Sequence, residues 1–161
     1  MSSNLIESLR AIVEEDLDGV TLTPDGLRAE ADTRYGEVTV RVDHDEEAAA
    51  LRVQVELPVP AGSGPEFLIW CLSTNVQYWD VKVGLDDTGL LAVHADLEVD
   101  VEEADAALAT AVVDRVESIL QLLDEDLVDY LLASGLGTPG QRQRWQRRRP
   151  EDEVDDDEDE D

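Results

Sequence analysis

A single cysteine, Cys71, a single lysine, Lys82, and one phenylalanine occur in a chain of 161 residues. One cysteine excludes an internal disulfide and any zinc site built from several thiolates. Cationic side chains are scarce: 12 Lys plus Arg stand against 40 Asp plus Glu, a formal charge of -28. A nucleic-acid binder needs a cationic footprint to release phosphate counterions, and a protein held on anionic lipid needs the same, so neither partner is expected. No window reaches 18 apolar residues, which removes a membrane-spanning helix. The first thirteen residues mix Glu7 and Arg10 with apolar ones and do not read as a secretory signal, so a soluble, cytoplasmic protein is the expectation. Such an acidic surface stays soluble at high salt and fits a halophilic source, although GC-rich coding would also favour its Arg, Ala and Val.

The length suits one domain, in which about 68% of the unfolded surface can be buried. Composition changes after Gly135. Leu136-Gly137-Thr138-Pro139-Gly140 reads as a breaker, five arginines then lie between Arg142 and Arg149 around Trp145, and Glu151 to Asp161 is acidic except for Val154. The expected organisation is a folded domain over 1–135 and a disordered, Arg-rich then acidic tail over 136–161.

Within the domain, Asn4 with Glu7 resembles a capping box, and Leu5, Leu9, Ile12, Val13 and Leu17 follow at helical spacing. The period then changes to two. Leu27, Ala29 and Ala31, next Val38, Val40 and Val42, and then Leu51, Val53, Val55, Leu57 and Val59 predict three consecutive strands paired as an antiparallel meander. Pro65 opens a helix from Glu66 to Thr74 that is nearly all apolar and is expected to be buried around most of its circumference. Trp79, Val81, Val83 and Leu85, then Leu91 to Val99, form a hairpin through Asp86-Asp87-Thr88-Gly89. Asp100 with Glu103 is expected to cap a last helix ending at Gly135, its far end overhanging the sheet unless it breaks near Asp124.

The order α-β-β-β-α-β-β-α resembles the type III secretion chaperone-like fold of the Tir chaperone family and YbjN-domain proteins. The resemblance covers roughly residues 4 to 123. It rests most on the apolar helix ending at Asn75, on Trp79-Asp80-Val81-Lys82-Val83, on the turn with Gly89, on His94-Ala95-Asp96-Leu97-Glu98-Val99, and on the acidic-capped helix after it. The two changes of period predict an α+β domain with one five-stranded antiparallel sheet and three helices. The resemblance implies no enzymatic activity and a homodimer that binds protein or peptide segments, and no cofactor is expected.

Candidate contact residues are Trp70, Cys71 and Trp79 on or just after the apolar helix, and Leu127, Tyr130 and Leu131 in the overhang, because aromatic and apolar anchors concentrate interface energy. Cys71 itself reads as a buried apolar residue, since no nearby His or Lys would lower its pKa. His94 and His44 lie among acidic neighbours expected as background, and no metal site is assigned. The alternative is a metal-dependent hydrolase or nuclease using Asp80 and Lys82, although the acidic surface repels a phosphate backbone. The Arg-rich segment is expected either to pair with the acidic residues that follow it, in self-association of the tail, or to dock through Arg142 to Arg149 on the acidic body of the same or another subunit. An edge strand, with Leu5, Leu9 and Ile12 of the first helix, is expected to receive a client by strand addition and apolar contact.

Overall fold

The computed structural model describes residues 4–147 apart from 15, 16, 18, 25 and 61. The first helix, α1, spans Asn4–Val13 and buries Leu5, Ile6, Leu9 and Val13 on one face. Six antiparallel strands follow: β1 (Val20–Thr23), β2 (Gly26–Asp32), β3 (Glu37–Asp45), β4 (Ala50–Leu57), β5 (Lys82–Leu85) and β6 (Leu91–Glu98). Their spatial order is β1-β2-β3-β4-β6-β5. The expected meander is β2-β3-β4. The five-stranded sheet gains a sixth member in β1, whose four residues are too few to set up a period of two and which pairs through Val20↔Ala29 to Thr23↔Gly26.

Between β4 and β5 the chain forms α2 (Pro65–Gln77), with Pro65 in the first turn as expected. It returns as edge strand β5, and β6 then fills the space beside β4 with Ala50↔Glu98 through Leu57↔Leu91 in register. Inward-facing Val40, Leu51, Val53, Leu91 and Val93 are almost fully covered. They meet α1 and the last long helix, which pack on that face of the sheet.

That last helix, α3 (Ala106–Gln121), is capped by Asp105, whose carboxylate accepts the Leu108 N–H at 2.8 Å. The Asp100–Glu103 pair expected as its cap lies upstream. The helical run does not break near Asp124: it continues with helical dihedrals through a π-helical turn, Leu122–Leu127, into α4 (Val128–Ala133). The wider turn lets adjacent Leu122 and Leu123 both face inward together with Leu127, Val128 and Leu131, each buried.

Disorder from residue 136 onward does not describe the structure up to Arg147. Pro139–Trp145 forms α5, opened by a full capping box between Thr138 and Gln141, and Trp145 is buried. Its indole N–H donates to the Tyr35 carbonyl at 3.2 Å, its ring stacks on Tyr35, and Arg144 pairs with Asp32. One large anchor and a good cap suffice to order a short arginine-rich segment. The acidic run lies outside the described residues. Among those described, no helix is long and apolar enough to cross a membrane.

Candidate functional site: an uncovered apolar helix face

α2 is apolar on two sides but buried on one. Phe67, Cys71 and Thr74, spaced at i, i+4 and i+7, face the domain. The opposite stripe, Leu68, Ile69, Leu72 and Val76, is 45% to 83% exposed, and Trp79 just beyond the helix is 93% exposed. Leu85 at the end of neighbouring β5 is exposed as well. The expectation of burial around most of the circumference therefore fails. The helix lies against the edge of the sheet beside β5, where only its inner side finds a neighbour.

Several contacts hold this helix in place, so the stripe is a fixed surface. Trp70 stacks on Phe67 and on Tyr130, with ring centroids 5.8 and 5.1 Å away, and those two rings also meet at 6.1 Å, so the three form one cluster. The Tyr78 hydroxyl donates to Asp126 in the π turn, and burial together with that carboxylate pushes the phenol pKa well up. Asp80 accepts from Arg115 at 3.3 Å and from Ser118 at 3.4 Å on α3. Asn75 donates to the Val83 carbonyl at 2.8 Å and accepts the Val83 N–H at 2.6 Å. The Asn75 amide thus stands in for a neighbouring strand on the outer edge of β5 and blocks strand addition at that point. Asn75→Ala should cost about 1–3 kcal/mol in urea unfolding, because both backbone groups lose their partner; a change below about 0.5 kcal/mol, the usual size for an inert surface substitution, would show that water replaces the amide.

The six sequence candidates separate. Trp79 joins the uncovered stripe, while Trp70 and Tyr130 are half-buried supports beneath it. Cys71, Leu127 and Leu131 are core. Burial raises the Cys71 thiol to about 11, so it is a poor nucleophile near neutral pH. Leu127 and Leu131 lie in the stretch expected to overhang the sheet, but α2 and α5 pack against it, and both leucines join the same core as Phe67 and Trp145. Leu5 and Leu9 are also buried, which leaves α1 little open apolar surface for a client. The sequence places Leu68, Ile69, Leu72 and Val76 in the 66–79 region expected at a dimer contact but does not single them out. Their spacing lies on one helix face, but the inner face is apolar too, so the period alone does not select a side.

Asp80 and Lys82 do not converge. Asp80 is engaged with Arg115, whereas Lys82 stands opposite His94 on the sheet face away from the helices. Burial, with help from Arg52, holds the His94 imidazole below its usual value. Among the described residues no group of three or more His, Cys, Asp or Glu side chains could hold a metal ion.

No family model matches the chain, and no curated protein matches it. Solved structures do. YbjN from E. coli superposes with a TM-score of 0.60 at 17% identity, covering 83% of this chain and 95% of that one. A chain of the HopA1–SchA chaperone–effector complex superposes with a TM-score of 0.51 at 10% identity, over 74% of this chain and 87% of that one. Helix-sheet-helix order, the six-stranded antiparallel sheet and these superpositions together give the protein the type III secretion chaperone-like, YbjN-type α+β fold.

Proposed function

We propose that the protein is a non-enzymatic protein-binding module that forms a homodimer through the outer face of α2 and receives an extended protein or peptide client. The exposed stripe Leu68-Ile69-Leu72-Val76 with Trp79 carries this reading. A rigid apolar patch rimmed by polar residues marks an association surface, and a helix presenting one such stripe suits an isologous contact with its own copy. The shared fold with a chain of a chaperone–effector complex supports the client half of the reading. Nothing in the geometry favours the hydrolase alternative, since the Asp80 carboxylate is occupied by Arg115 and Ser118.

Sedimentation velocity tests the assembly. The wild type should run as a dimer at micromolar concentration, and Ile69→Asp with Leu72→Asp should weaken association about 100-fold or more, since two central interface positions typically supply at least ~2 kcal/mol each. Circular dichroism should not change, because both side chains are exposed. A wild type that stays monomeric at moderate and at high salt would reject the dimer.

A further inference from the structure

The sheet face turned away from the helices carries a cross-strand row that contains no acidic residue. Register places Thr21 opposite Arg28, Arg28 opposite Arg41, Arg41 opposite Gln54, Gln54 opposite His94, and His94 opposite Lys82. One row therefore crosses all six strands. It collects three of the chain's 12 cationic side chains, including its only lysine, in a protein that has 40 acidic ones. Arg28 and Lys82 are exposed and form no ion pair with another described residue, while Arg41 shares Glu56 at 3.5 Å. In the next row Arg52 is held by Asp96.

We propose that this basic row is a docking stripe for the chain's own acidic run, Glu151 to Asp161. Ten of those eleven residues are acidic, the complement of the row. The place where the described chain ends supports the assignment. Arg144 of α5 pairs with Asp32, which lies at the hairpin end of β2 on this same open face. From the Asp32–Glu37 pair to the Arg28–Arg41 pair is four residues along β2, about 14 Å, and from β2 to β5 is four strand spacings, about 19 Å. Fourteen residues follow Arg147. Extended, they reach about 46 Å, enough to cover both legs. On the same face the row is flanked by Glu30 and Glu56 on one side and by Asp43 and Asp96 on the other. These lie one residue pair or about 7 Å away, within the screening length of about 8–10 Å at physiological salt, so the run is confined to the row itself and acidic surface farther off is screened. Tethering supplies a millimolar-range local concentration, so weak individual pairs add up.

The single lysine makes the test direct. In the 161-residue chain, Lys82 is the one lysine, so apart from the N-terminal amine it is the amine that a zero-length carbodiimide can join to a carboxylate. Mass spectrometry of the monomeric product should show Lys82 joined to a carboxylate within 151–161. A mixture of isotope-labelled and unlabelled chains separates links within a chain from links between copies. Yield should fall about two- to tenfold in Arg28→Gln with Arg41→Gln, and again between about 0.05 M and 0.5 M salt. Lys82 joined only to carboxylates of the folded domain, links formed only between copies, or a yield indifferent to the double substitution would each overturn the proposal. None of these outcomes depends on the α2 interface.

Discussion

Trp145→Ala should lower stability by about 3–5 kcal/mol and the melting temperature by roughly 6–20 °C, a large loss for a residue in a segment of arginines and glycines. The indole is 1% exposed. Its removal leaves a cavity between α5, α4 and the β2–β3 hairpin, breaks the N–H bond to the Tyr35 carbonyl, and removes the ring stacked at 6.0 Å on Tyr35. Gly137 provides an independent approach to the same site. Its φ is +90°, and a Cβ added there would lie 2.5 Å from two carbons of the Trp145 ring. Gly137→Ala should therefore also destabilise, by about 1–3 kcal/mol, through overpacking and backbone strain rather than a void. A thermal scan showing less than about 2 °C change for Trp145→Ala would mean that α5 contributes almost nothing to stability, the behaviour expected of a disordered tail.

The segment was misread for a specific reason. Composition averaged over residues 136–149 is dominated by Arg, Gly and Gln, and a window average cannot register one buried ring. The local signal was present: Thr138-Pro139 followed by Gln141 is a capping box with proline in the first turn, the opposite of a breaker. Strand periodicity carried the most information elsewhere. Alternation through Val38–Val42, Leu51–Leu57 and Leu91–Leu97 placed three strands on the correct face, because one side of each is covered and the other open. That argument fails for β1, which has four residues, and for α2, which has apolar residues on two faces. Whether an apolar helix is enclosed or half-open depends on where the sheet ends. The sheet ends at β5, which the chain reaches only after leaving the helix.

The same limit explains the divided fate of the candidate site. Trp79 was singled out because aromatic residues gather at interfaces, and it is the most exposed large apolar side chain among those described. Leu127 and Leu131 were singled out from the length of an ideal helix. The six-residue π turn at Leu122–Leu127 changes the direction in which they face, and no feature of composition announces it. Asp124 and Asp126 within that turn explain why it persists: Asp126 receives the Tyr78 hydroxyl from the end of α2, and the Asp124 carboxylate accepts the Arg34 N–H at 2.7 Å. The turn is thus fixed from both sides.

Arg34 connects that turn to α5, and Arg34→Met should cost about 2–4 kcal/mol. Its guanidinium donates to the Trp145 carbonyl through Nη2 at 2.8 Å and Nε at 3.3 Å, and to the Asp124 carbonyl through Nη1 at 3.3 Å. The Trp145 carbonyl ends α5, where backbone oxygens lack a helical partner and a cation is favoured by the local dipole, and the Asp124 carbonyl lies in the π turn. Charge-assisted bonds to carbonyls are worth about 1.5–3 kcal/mol, and the Arg34 side chain is only 22% exposed, so solvent screens them incompletely. Asp129, at 3.7 Å and mostly exposed, adds little. Methionine keeps much of the stem volume and removes the donors, which isolates the hydrogen bonds from packing. If Arg34 acts by fastening α5, its effect must depend on Trp145 being docked. Urea unfolding of Arg34→Met, Trp145→Ala and the double variant should then be non-additive by about 1–2 kcal/mol, with the double variant less damaged than the sum. Strict additivity would instead make Arg34 a support of the π turn alone, acting through Asp124, and α5 would be held by its tryptophan without help from the arginine.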